Sequence, residues 1–199
     1  NGAPGDPHVL VEWGGNFGPR TTNGEWWRLV TTMFLHTGMI PLLVNVAGLV
    51  QVGLIVERLV GPVAFAGVYI LSGVFVSLLN VSAHPVAVDV GAAGAVLGIH
   101  GLLVACLLSG VVHRSPLSIP LRALWRLGPA ATVFLLYNLG TGRIGREAGL
   151  AAVSIGVVWG LVLTIRVGDR KRLARRVAVA TAATLAVVLA SAVPIRGVA

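Results

Sequence analysis

The chain has 199 residues and a net charge of +8, with 56% hydrophobic residues, 11% charged residues and a mean hydropathy of +0.88. A soluble domain carries about 25% charged residues, so a water-soluble enzyme is excluded, and so is a disordered chain. The basic balance does not indicate nucleic acid: the arginines stand at the ends of apolar runs, and there is no basic groove with interleaved aromatics.

Residues 1–28 hold Pro4, Pro7, Pro19 and six glycines, and are too polar to span a bilayer. They end in Glu25-Trp26-Trp27-Arg28, a Trp pair beside Arg of the kind that marks a membrane interface. This segment reads as an aromatic belt or as an amphipathic loop at the edge of the outer leaflet. Six uncharged runs follow: 29–56 (A), 59–88 (B), 90–113 (C), 127–142 (D), 148–165 (E) and 177–195 (F). A crossing helix needs about 20 apolar residues, so the sequence predicts an all-α membrane protein with six transmembrane helices. Run D is the shortest and is expected to begin a turn earlier, with Arg122 and Arg126 reaching the interface; a re-entrant segment is the alternative.

Four regions result: an outer-face loop region 1–28, a membrane core 29–165, a basic loop 166–176 and a C-terminal helix 177–199. The tract Arg166, Arg170, Lys171, Arg172, Arg175 and Arg176 places that loop in the cytoplasm. Alternation then puts ten Lys/Arg on the cytoplasmic side, against five (Arg20, Arg28, Arg143, Arg146, Arg196) outside. The outside also receives residues 1–28, 80–90 and 140–147. Abundant Ala, Gly, Val and Arg with almost no Lys points to a GC-rich bacterium, hence a bacterial plasma membrane.

Small residues recur at helical spacing. Gly91, Gly94, Gly98 and Gly101 form a stripe on run C; Gly149, Ala152, Gly156 and Gly160 form one on run E. Such stripes let two backbones approach closely in lipid. The polar residues within runs are His36 and Asn45 on A, His100 on C and Asn138 on D. Each needs a partner in hydrocarbon: a helix–helix hydrogen bond is expected for His100, and a cap or packing contact for Asn138. Asn45 reads equally as a bond to a neighbouring helix and as something more. No pair of carboxylates enters the membrane, and no His/Asp/Glu cluster has metal-ligand spacing. Cys106 excludes an internal disulfide. No cofactor is expected.

The run Gly24-Glu25-Trp26-Trp27-Arg28-Leu29-Val30-Thr31-Thr32-Met33-Phe34-Leu35-His36 closely resembles the first-loop motif of rhomboid intramembrane serine proteases. The likeness continues through Leu42-Leu43-Val44-Asn45, Val56-Glu57-Arg58-Leu59-Val60-Gly61, Tyr69-Ile70-Leu71-Ser72-Gly73, Gly91-Ala92-Ala93-Gly94-Ala95-Val96-Leu97-Gly98 and the stripe from Gly149 to Gly156. It covers about residues 10–160. The resemblance implies a Ser–His dyad on the fourth and sixth helices. It also implies oxyanion donors from a His and an Asn on the second.

In this sequence Ala93 stands at the nucleophile position, Gly149 at the general-base position and Pro41 at the oxyanion histidine, while Asn45 is retained. A methyl group cannot attack a carbonyl. The resemblance therefore implies an apparently inactive pseudoprotease that binds transmembrane client helices within the lipid bilayer. Trp27, Arg28, His36, Glu57, Gly94, Gly98 and Gly156 are its expected client-binding or structural residues. Pro41 is expected to leave one oxyanion donor missing and to kink its helix. The chain begins at Asn1 rather than Met and carries no recognisable signal peptide. The family's first helix is absent here and span F is an extra one, so seven spans are expected in the full-length protein. Without that first helix the Trp-Arg loop is expected to lose its anchor. The competing readings are an active protease with a displaced dyad, drawn from Ser82 and His84 or from Ser109 and His113, and a small transporter.

Overall fold

A computed structural model describes residues 5–112, 121–142 and 144–164. In chain order it contains α1 (Pro7–Glu12), β1 (Asn16–Phe17), α2 (Gly18–Thr21), α3 (Arg28–Thr31), a 3-10 turn (Thr32–Phe34), α4 (Met39–Val60), α5 (Pro62–Ala83), β2 (Val88–Asp89), α6 (Ala93–Val112), α7 (Leu121–Gly140) and α8 (Arg146–Thr164). The short elements pack over one end of a bundle formed by the five long helices.

The five long helices occupy runs A to E, with shifted bounds. Run A begins at Met39 rather than at residue 29, because Arg28–Phe34 coils separately into α3 and the 3-10 turn. His36 therefore lies in the loop before α4, not on the span. Helix α7 starts at Leu121 and runs unbroken to Gly140 through Pro129, so the helix of run D begins before residue 127 as expected. Among the described residues, three helices are long and apolar enough to cross a membrane: α4, α5 and α8. The apolar part of α6, Ala93–Ser109, is shorter. Run F and the basic loop 166–176 lie outside the described residues.

Pro41 does not kink α4. It sits in the first turn, where a helical N–H has no partner within the helix and its loss costs little. At the other end of α4 a single residue joins it to α5. Gly61 takes a left-handed φ of 86° and donates its N–H to the Glu57 carbonyl at 2.8 Å, while Pro62 opens the next helix.

Much of the apolar surface faces outward. Only 33% of the most apolar stretch of α4 is buried, 39% of α5 and 28% of α8. Leu43, Val50 and Leu54 on α4, Leu136 and Leu139 on α7, and Leu150 and Val158 on α8 are exposed. Contiguous apolar surface on this scale needs hydrocarbon rather than water against it.

Helix α6 is the axis of the bundle, buried without interruption from Ala92 to Ile99. Its closest partner is α8, and the glycine stripes set that distance. A Cβ on Gly156 would stand 1.9 Å from the Gly98 carbonyl oxygen, and one on Gly101 would stand 2.1 Å from the Val153 carbonyl oxygen. The α6 stripe also serves α5, since a Cβ on Gly94 would meet Val76 at 2.7 Å. Gly91 belongs to neither contact: it precedes α6 in a turn with φ 131° and nothing lies within 4 Å of its Cβ position. Replacing Gly156 with Val should force α6 and α8 apart and destabilise the protein by about 3 kcal/mol. Gly67→Ala, where nothing lies within 4 Å, should change stability by less than about 1 kcal/mol. Thermal unfolding of the two variants in detergent checks the pair.

Candidate functional site

Five elements end around one cavity. It lies between the start of α4, the end of α5, β2, the start of α6, and the junction of α7 with α8. It is a small cleft with room for about one water molecule, about 20 Å³. Asn45, Ser77, Asn80, Asp89, Ala93, Gly94, Asn138 and Ile144 are among its lining residues.

A small folded cap closes this end. Strand β1 pairs antiparallel with β2, with Asn16 opposite Asp89 and Phe17 opposite Val88. Asn16 is fully buried and donates from Nδ2 to the Ser77 carbonyl on α5 at 2.8 Å, while its Oδ1 accepts from the Thr21 hydroxyl at 2.7 Å. The Thr32 hydroxyl donates to the Asp89 carbonyl, and the Gly91 N–H donates to the Thr32 carbonyl at 3.0 Å. The Gly18 N–H donates to the Pro85 carbonyl at 3.0 Å, an approach that a Cβ at position 18 would block at 2.3 Å.

Arg28 holds the cap from inside. Its side chain is 2% exposed, and it donates to the Val11 carbonyl, to the Gly15 carbonyl at 3.0 Å and to Glu25 Oε2 at 2.6 Å, with its guanidinium 4.7 Å over the Trp27 ring. The loop is therefore anchored by its own cation and by β2, contrary to the expectation that it loses its anchor. Trp13, Trp26, Trp27 and Phe34 remain half-exposed or more, an amphipathic surface suited to a membrane interface.

The structure brings some of the expected residues together and separates others. Asn45, Ala93 and Gly94 share the cavity wall, and Pro41 lies one turn before Asn45. Ala93 is 7% exposed and packs among Val76, Leu97, Ile144, Ala148 and Ala152. Gly149 is buried beside this cluster; a Cβ there would reach Ile144 Cγ2 at 3.3 Å and Leu97 Cδ1 at 3.5 Å. Gly98 and Gly156 serve the α6–α8 contact. Glu57 does not join the cavity: it is exposed near the far end of α4, about 18 Å along the helix from Asn45.

Among the described residues His100 makes no helix–helix hydrogen bond. Its Nδ1 pairs with the Val96 carbonyl of its own helix at 2.8 Å, and its ring stacks on Phe134 of α7 at 5.1 Å. Asn138 donates from Nδ2 to the Phe134 carbonyl at 2.9 Å, and its Oδ1 is buried with no partner among the described residues. Asn45 Oδ1 likewise has none. Among the described residues no three His, Cys, Asp or Glu side chains converge as metal ligands.

The Rhomboid domain model matches residues 23–170, most of the chain. The chain belongs to the rhomboid family. It is 32% identical over 142 residues to rhomboid protease GluP of Bacillus subtilis (strain 168), covering 71% of this chain and 26% of that protein. It is 26% identical over 164 residues to rhomboid-like protease 1 of Toxoplasma gondii, covering 82% of this chain and 56% of that one. It is also 41% identical over 61 residues to inactive RHOMBOID-like protein 8 of Arabidopsis thaliana, covering 31% of this chain and 17% of that one. The chain thus spans between a quarter and just over half of the length of the first two relatives.

Positions 93 and 149 offer a methyl group and a hydrogen, neither a nucleophile nor a base. The Ser82 hydroxyl donates to the Leu78 carbonyl of its own helix at 2.9 Å. Ser109 is buried toward the opposite end of α6, and His113 lies outside the described residues.

The sequence reading missed Asn16, Thr32, Asn80 and Asp89. Asp89 carried a signal: it is the lone acid interrupting runs B and C, two residues before Gly91. Burial pushes its carboxyl up to about 6, against the opposing pull of side-chain hydrogen bonds from Asn80 and Asn16. The folded protein therefore holds this proton more tightly than the unfolded chain. The stabilisation is complete below the ordinary value of 3.8 and is lost as pH rises through about 6. The protein should lose about 2–3 kcal/mol from this group between pH 4 and pH 7, and Asp89→Asn should flatten that portion of the curve, as read by thermal unfolding across the pH range.

Proposed function

We propose that this rhomboid-family protein is a catalytically inactive member that binds the transmembrane helices of client proteins. The observation that carries the reading is Ala93 on the wall of the cavity, packed with Leu97, Ile144, Ala148 and Ala152. Hydrolysis needs an activated oxygen nucleophile with a base within about 2.6–3.2 Å. Here the resemblance puts a methyl group and a hydrogen at those two positions. The retained glycine packing and cap keep a scaffold that can receive a helix, and the relative named inactive in Arabidopsis thaliana makes such a member a reasonable one. The same proposal places the protein in a bacterial plasma membrane with loop 166–176 in the cytoplasm, the cavity end outside and six spans in this chain.

The active-protease alternative draws on the proteases among the relatives. It needs a serine free to attack, whereas Ser82 is engaged within its own helix. Purified protein should take no label from a fluorophosphonate probe and should retain a co-expressed single-span client uncleaved; active-site labelling would overturn inactivity. Ala93→Ser combined with Gly149→His should not restore cleavage of a model transmembrane substrate, because the imidazole must enter the space of Ile144 and Leu97 and Pro41 supplies no donor. Turnover within a hundredfold of an active rhomboid under the same assay would refute that explanation.

A further inference from the structure

Among the described residues the central helix α6 is covered on three sides and open on the fourth. Its packing with α4, α5 and α8 buries Ile99, Leu102, Leu103, Ala105 and Cys106. Val104 and Leu108, one turn apart, stay 43% and 48% exposed. Helical spacing sets these two between His100, whose ring stacks on Phe134 of α7, and Ala105, which meets α8 at Gly160. They look out through a seam between α7 and α8. Leu97, seven residues earlier on the same side of α6, is buried with Ile144 and Ala148. The seam is therefore closed at the cavity end and open at the far end. Helix α7 leaves it open because it packs chiefly on α4.

The peripheral helices each turn one face outward, as lipid-facing helices do. A central helix that shows two large side chains marks a missing neighbour, because an unfilled groove forfeits dispersion contacts. The chain itself supplies one. Helices α6 and α8 run parallel, since Gly98 meets Gly156 while Ala105 meets Gly160. Helix α8 thus ends, at Thr164, at the same end of the bundle as Leu108. The sequence then continues through the basic loop 166–176 into run F, residues 177–195, all outside the described residues. Run F starts from the end where the seam is open. At about 1.5 Å per residue it is about 28 Å long, against about 30 Å for α6. A tether this short holds run F near the bundle at an effective concentration on the order of millimolar, an advantage that a free partner lacks. Ala178, Ala182, Ala186 and Ala190 recur along it at four-residue spacing, and a face of small residues lets one helix lie close against another.

We propose that run F packs in this seam as an antiparallel neighbour of α6, with Ala182 near Leu108 and Ala186 near Val104. A helix that starts level with the end of α6 reaches those heights at about its fifth and ninth residues, and both alanines lie next to them in sequence. The inference rests on reading run F as a span. It closes the α7–α8 side of the bundle to a client helix.

The test is disulfide formation in the full chain in membranes, with the single cysteine, Cys106, replaced by Ala. One variant combines Leu108→Cys with Ala182→Cys, and a second combines Val104→Cys with Ala186→Cys. The control combines Leu54→Cys with Ala182→Cys. Leu54 is exposed on α4 and lies as many residues from the cavity end of its helix as Leu108 does from that of α6. A disulfide needs Cα atoms within about 7 Å. Under copper–phenanthroline both seam pairs should link within one chain at least tenfold faster than the control, and either pair suffices if the other variant does not fold. A control that links as fast overturns the inference and puts run F elsewhere. Links between two chains only overturn it in favour of a second copy, and no link in a folded variant overturns it in favour of lipid or a client. The span reading is read separately, by maleimide labelling of Gly168→Cys and Gly197→Cys. Labelling from opposite sides upholds the span, so that missing links then overturn the packing alone; labelling from the same side overturns both.

Discussion

The contact between α6 and α8 is the constraint on which the rest of the structure depends. Lipid gives two apolar helices no hydrophobic reason to associate, so close van der Waals packing must do it. Here the backbones approach so nearly that Gly101 and Gly156 have no room for a single carbon. This contact puts position 93 at the head of one helix and position 149 at the head of the other, under the same cap. It serves that geometry whether or not the two positions carry reactive groups. A chain can therefore lose the chemistry and keep the architecture, because the residues that determine each are different.

The cap is held by a different kind of force. Residues 5–37 bury Leu10, Leu29 and Met33, and much of their order comes from polar side chains satisfying backbone groups. Arg28 gathers two carbonyls and a carboxylate, Asn16 spans from the cap to α5, and Thr32 ties both to β2. Side chains satisfying loop carbonyls are what a short irregular segment needs when no sheet or helix can take those groups. The cap and the cavity are consequently one unit, since Asp89 is at once the partner of β1 and part of the cavity wall.

Much of this was legible in the residues. The apolar runs located the five long helices among the described residues, and the glycine spacing marked runs C and E as helices able to pack closely, because both signals depend on local periodicity. The family likeness rested on motifs in order and was supported by the match over residues 23–170. The errors fell where tertiary contacts override hydropathy. Run A was extended back over Leu29–Phe34, which are apolar enough to read as part of a span but coil separately under the cap. His100 was expected to bridge two helices, yet it pairs along its own backbone and meets α7 by ring stacking. The cavity acid was invisible because its role depends on β1 crossing to β2, a pairing of residues more than seventy positions apart that no local pattern encodes.

The one-residue turn at Gly61 has a consequence for the cavity. With only a single residue separating α4 from α5, neither helix can adopt an orientation independent of the other, and the loop offers nothing long enough to be drawn across hydrocarbon alone. The two helices form a tight antiparallel hairpin, which returns the end of α5 to the side where α4 begins and so brings both to the cavity.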